Sequence, residues 1–295
     1  MLKTLIVLVW PIGIAALLVL SALLARRLGP RPERAPASAN RLATASVNGQ
    51  YGSDAGISPR SAWSSVVGML LILTVGAVAV YALICLLGLL VVHAGPSIDK
   101  PMYTWMLHHR VHFWASVMNR LTKVGNTWTT WGAAGAAAVC LAAFYRKNKW
   151  LPPAVFAAAI FVDHYLTLAL RHTFHRLGPP NSPDGTFPSG GCDRIFVFYG
   201  LIAYLIWREI GGSKRVAIWS AGVVAALGFS EAYSRFYLTL HWFTDAISGI
   251  IYGCLILAVF IATIRLVIGP ARRPLVGTAP VLPTGAAGQP APTLQ

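Results

Sequence analysis

The residues best equipped for chemistry lie in one polar stretch, Ser234-Arg235-Phe236-Tyr237-Leu238-Thr239-Leu240-His241-Trp242-Phe243-Thr244-Asp245, set between two long apolar runs. Ionisable residues in such a place are costly and usually functional. If the stretch is helical, His241 and Asp245 stand one turn apart on the same face. Asp245 then accepts the imidazole N–H and fixes its tautomer, leaving the other ring nitrogen to attack or to take a proton. Arg235 adds a fork of donors suited to phosphate. The bland alternative is a His–Asp pair that satisfies itself inside a helix bundle, and the stretch alone does not separate the two.

A second polar segment runs from Arg171 to Cys192 and ends in Pro188-Ser189-Gly190-Gly191. Ser189 and Gly190 precede a helix start, where open N–H groups, a hydroxyl and the positive helix end make an anion cradle. Glycine permits close backbone approach. With Arg171 and Arg235 added, the ensemble is a phosphate pocket beside a carboxylate-oriented histidine. Read alone, Pro-Ser-Gly-Gly is better explained as a plain turn.

These segments need a scaffold, and composition says which. The 295 residues are 56% hydrophobic and only 11% charged, unlike a soluble domain. The apolar residues gather into runs of about 20, the length that crosses a bilayer as a helix. Spans are expected at 2–25, 62–93, 127–145, 151–172, 193–207, 216–233 and 246–268. The fold class is therefore all-α, a polytopic membrane helix bundle. Residues 1–27 read as an N-terminal transmembrane helix. The Pro/Ala/Ser/Gly/Arg-rich 28–62 reads as a disordered cytoplasmic linker, and 269–295 as a disordered cytoplasmic tail. Between His93 and Val124, Leu107, Val111, Trp114, Met118 and Leu121 recur at helical spacing among basic residues, the pattern of an interfacial amphipathic helix near 100–122.

The net charge of +15 does not point to nucleic acid, because Lys and Arg cluster at the ends of the apolar runs. The four cysteines are scattered, with no Cys-x-x-Cys or His/Cys cluster, so no metal or cofactor site is indicated. Six Arg in 26–62, with Arg146-Lys147-Lys149, Arg208-Lys214-Arg215 and Arg265-Arg272-Arg273, fall on one side of the alternating spans. The positive-inside tendency makes that side the cytoplasm. The expectation is an integral protein of the plasma (inner) membrane with its N-terminus outside and its C-terminus inside. Both chemical segments then share the outer face.

Together these segments resemble the type-2 phosphatidic acid phosphatase and haloperoxidase superfamily, whose motifs are K-x6-R-P, P-S-G-H and S-R-x5-H-x3-D. Ser234, Arg235, His241 and Asp245 meet the third in full. Pro188-Ser189-Gly190 begins the second, but Gly191 stands where the family has His. Arg171 takes the Lys place and Pro179 the Pro place of the first, with Gly178 where the family has Arg. The resemblance covers about 63–268, which it makes a six-helix phosphatase-like core.

The resemblance implies metal-free phosphoryl transfer on a lipid phosphate, with no cofactor. His241 is the nucleophile that forms a phosphohistidine, and Asp245 orients it. Arg171, Ser189, Gly190 and Arg235 hold the phosphate oxygens. The family's second-motif His protonates the leaving group, and Gly191 cannot. One reading recruits another residue: His175, Cys192 or Asp193 for the acid, and Arg176 or Arg194 for the missing first-motif Arg. Alternatively the leaving group needs no proton. An alkoxide must be protonated, a step worth about 10²–10⁴-fold, whereas a phosphate leaving from a diphosphate departs as an anion. That favours a polyprenyl diphosphate over phosphatidic acid. The third possibility is a lipid-phosphate binder or carrier without activity, and a phosphotransferase using an alcohol acceptor is a fourth. Asp163-His164 reads as a buried polar pair joining two helices, and Glu231 as an intramembrane counter-ion. The oligomeric state is open.

Overall fold

A computed structural model describes residues 59–145, 147–180, 182 and 187–269. The expected N-terminal span, almost all of the linker and the C-terminal tail from residue 270 lie outside the described residues. Those described form an all-α bundle. The helices are α1 (Pro59–His109), α2 (His112–Leu121), α3 (Thr127–Phe144), α4 (Leu151–Phe174), α5 (Gly190–Arg194), α6 (Gly200–Ile210), α7 (Lys214–Tyr237) and α8 (Phe243–Ile268). A π-helical turn, Ile195–Tyr199, joins α5 to α6 without a break.

Five helical stretches are long and apolar enough to cross a membrane: Val67–His109 within α1, α4, the continuous Gly190–Ile210, α7 and α8. The protein is an integral membrane protein. The alanine-rich α3 packs on α4 through the fully buried Ala133, Ala134 and Ala137. Gly190–Ile210 is the centre of the bundle, 83% buried where the other four are 22–33%. This resolves the apparent shortness of the expected 193–207 span. It begins three residues earlier than expected, below the polar cap of the bundle, and runs to 21 residues.

Two boundaries differ from the sequence expectation. The second span does not stop at His93. It continues through Pro96 and Pro101 as one 51-residue helix, about 75 Å long against a hydrocarbon layer of about 30 Å. Tertiary contacts hold the extension against the bundle past its prolines. Asp99 bonds to the start of α8, and Met106 packs on Phe236 and Tyr237. The amphipathic helix expected near 100–122 is consequently only α2, which has no buried residue. The Tyr237 hydroxyl accepts from Val111 N at 2.8 Å, in the break between the two helices.

α8 reaches the centre through Gly249 and Gly253, one turn apart. A Cβ on Gly249 would lie 2.5 Å from Ser189 O, and one on Gly253 2.6 Å from Asp193 O. This is the small-xxx-small packing by which membrane helices approach backbone to backbone. It seats the start of α8 against the start of α5. The basic residues Lys147, Lys149, Arg208, Lys214, Arg215 and Arg265 lie at the opposite end of the bundle, on the α3–α4 and α6–α7 connections and at the end of α8.

Candidate active site

The Ser234–Asp245 stretch is not one helix. α7 ends at Tyr237, Thr239 adopts a left-handed conformation (φ 55°), and Leu240 N closes the turn on Arg235 O at 3.0 Å. His241 stands in this turn and Asp245 in the first turn of α8. The two are therefore not successive positions on one helix face; a tight turn places them. Ser189 N donates to Asp245 O at 3.1 Å, which ties the Pro-Ser-Gly turn to the same point.

A cavity of about 320 Å³ opens here. Arg171 of α4, Gly190 and Gly191 of α5, Arg194, Arg235 and His241 all line it, and Asn126, Thr127 and Trp128 complete the wall. Both remote segments thus meet at one end of the bundle, as the alternation of spans requires. The lining carries three guanidinium groups and the open start of the central helix, so it is built for an anion.

Arg235 is held from several sides. Its Nε donates to Glu231 Oε1 at 2.7 Å, and its NH2 to Asn126 Oδ1 at 3.3 Å. Its NH1 lies 3.3 Å from His241 Nε2. Glu231, 2% exposed, also accepts from the Thr122 hydroxyl and is the counter-ion its position suggested. The guanidinium also fills the space beside Gly191. A Cβ there would fall 2.1–2.2 Å from NH2, Cζ and Nε of Arg235. A side chain at 191 requires the Arg235 guanidinium to shift from this position.

Of the residues weighed to replace missing motif positions, Arg194 alone reaches the cavity. A Cβ on Gly190 would lie 2.9 Å from Arg194 NH2 and 3.4 Å from Arg171 NH2. Asp163, fully buried, accepts from Arg194 Nε at 3.3 Å. Asp163 thus steers an arginine into the cavity rather than pairing with His164, whose ring faces Trp131 and Tyr165.

The other candidates sit elsewhere. Ser189 is fully buried behind Gly190, its hydroxyl 3.3 Å from Cys192 Sγ, and does not line the cavity. Cys192 and Asp193 are fully buried and do not line the cavity; Asp193's backbone packs on Gly253. His175 ends α4 in a left-handed conformation (φ 44°) and lines a separate cavity of about 360 Å³. Arg176 lines that second cavity too, and its guanidinium bonds to Asp245 and Asp99. Asn126, Thr127, Trp128 and Asp99 escaped the sequence reading. Nothing in the sequence distinguishes them; only the fold brings them to the site.

Residues 154–267 match the family model described as the PAP2 superfamily. That segment is a PAP2-superfamily domain. A solved structure similar to this chain is a transmembrane PAP2-type phosphatidylglycerolphosphate phosphatase from Bacillus subtilis. It has a TM-score of 0.57 and 20% identity, over 63% of this chain and 94% of that one. Curated proteins yield no match. The bundle is thus the membrane PAP2 fold. Every motif residue lies within the PAP2 segment, on or between α4, α5, α7 and α8, while α1 to α3 precede it.

Proposed function

We propose that this protein is a membrane lipid phosphatase acting through His241, with a polyprenyl diphosphate as the favoured substrate. The observation that carries the reading is the cavity itself, where His241 Nε2 faces a ring of Arg171, Arg194 and Arg235 at the glycine-lined start of a buried helix. His241 Nε2 attacks the terminal phosphorus. The bond to the bridging oxygen breaks, and the lipid monophosphate leaves with that bond's electron pair. Water then attacks the phosphohistidine, inorganic phosphate departs and the imidazole is regenerated. Asp245 orients His241 throughout, and no metal takes part.

Where a PAP2 enzyme carries its acid, this chain carries the fixed cation of Arg235, seated beside Gly191. A guanidinium does not give up its proton at neutral pH, but it stabilises a departing phosphate well. This supports a diphosphate over a monoester, whose alkoxide needs a proton. The cavity is at the lower end of the roughly 300–1,000 Å³ of ligand pockets, so it takes the head group and leaves the tail in the bilayer. Trp128, on the wall and 75% exposed, marks the side on which the tail leaves. The basic ends of the opposite face support a site on the extracytoplasmic side of the plasma membrane.

The test is phosphate release from a polyprenyl diphosphate and from phosphatidic acid in detergent. Turnover of the diphosphate at least about 10²-fold above the monoester is expected. Equal turnover of both overturns the leaving-group reading. Release from neither, with lipid phosphates still bound, makes the protein a binder.

A further inference from the structure

Arg176 lies outside the reacting cavity, between two buried carboxylates. Its NH1 donates to Asp245 Oδ1, and its NH2 to Asp99 Oδ2 at 2.6 Å. Asp99 is 2% exposed and Asp245 fully buried. Asp99 comes from the extension of α1 beyond Pro96 and accepts two further bonds. These are from Thr244 N at 3.0 Å and from the Thr244 hydroxyl at 2.7 Å. It therefore holds the first turn of α8 from another helix as well as Arg176.

One guanidinium already balances Asp245, so the second carboxylate is the informative excess. Burying a carboxylate is expensive and is repaid only by well-made bonds. With Asp99 the cluster carries −1; without it the cluster would be neutral. The charge matters because of what faces His241. Arg235 is 3.3 Å from Nε2, and Arg171 and Arg194 stand across the cavity, with Glu231 behind Arg235 and Asp163 behind Arg194. Lys100 and His175 flank Arg176 in the second cavity. In so cationic a setting, an Asp245 fully neutralised by Arg176 would leave the imidazole a poor base and a poor nucleophile.

We propose that Asp99 and Arg176 form a charge-setting bridge that tunes Asp245, and through it the protonation state in which His241 meets the substrate. This rests on the reading that Asp245 orients His241. Both are positioning residues, since neither touches the cavity that takes the phosphate. The bridge makes the long extension of α1 part of the catalytic apparatus.

The signs follow from charge. Removing Asp99's charge takes the cluster from −1 to neutral, with Arg176 balanced by Asp245 alone, and disfavours the imidazolium. Removing Arg176's charge leaves two carboxylates and favours it. The experiment is a pH titration of the His241 resonance in full-length, histidine-labelled protein in nanodiscs, assigned by its loss in His241→Gln, together with the pH–rate profile. In Asp99→Asn the midpoint and the acid limb of the profile move down by about one pH unit. In Arg176→Met both move up by a similar amount, and Arg176→Lys restores most of the difference. Asn at 99 keeps an acceptor for Thr244 N, so that variant retains the start of α8. Should Arg176→Met not fold, the direction of the Asp99→Asn shift decides alone. Shifts of the same sign in the two variants, an upward shift in Asp99→Asn, or none above about 0.2 unit would overturn the bridge. If wild type hydrolyses no lipid, the proposed activity fails while the resonance titration still judges the bridge.

Discussion

At the scale of single residues, the account turns on Gly191 and what its missing side chain permits. Arg235 fills the volume that a Cβ there would need, and Glu231 and Asn126 fix it in place. Restoring the superfamily's histidine is therefore not a repair. Gly191→His should not create monoester activity, because it displaces the cation that receives the leaving phosphate. Gly191→Ala should lower diphosphate turnover by about 10²–10³-fold, the cost of losing one such donor. Steady-state phosphate release by the two purified variants checks both, and monoester hydrolysis by Gly191→His would show the seat to be unimportant. The departure at Gly178 reads differently. Arg194 brings a guanidinium to the start of α5 from its own last turn, steered there by Asp163.

At the scale of elements, the central packing of α8 on α5 fixes how closely the two chemical segments meet. Gly253 faces the backbone of Asp193, which cannot swing aside as a side chain can. Gly253→Val should cost about 1–3 kcal/mol and depress activity by displacing the Pro-Ser-Gly turn. Gly222, on α7 with nothing within 4 Å of its would-be Cβ, should accept Ala without loss. Thermal unfolding of the two variants in one detergent gives the comparison, and equal effects would contradict it. This level also separates what was legible in the sequence from what was not. Five of the expected spans were readable from apolar run length, and the order of motif residues from residue type; the expected 127–145 span is the alanine-rich α3, which is not among the stretches apolar enough to cross. The unbroken passage of α1 through Pro96 and Pro101 was not, since it depends on Asp99 meeting Thr244, 145 positions away. The choice of Arg194 over Arg176 was equally hidden. Both follow a motif residue closely, and only the packing of α4 against the central helix aims one into the cavity and turns the other to Asp245.

At the scale of the whole molecule, the site is assembled at one end of the bundle from α3, α4, α7 and the turn into α8, around the start of a buried central helix. No one segment makes the cup. The small cavity separates head group from tail, and in the proposed mechanism the helices serve to hold one imidazole among three guanidinium groups without water-borne flexibility. The measurement that tests this most directly is rapid quenching of the protein with a polyprenyl diphosphate labelled in its terminal phosphate. The account expects an acid-labile, base-stable label on His241 within a single turnover, with none in His241→Ala, whose phosphate release falls by about 10³-fold or more. Undiminished release from His241→Ala, or label found on any other residue, would contradict it.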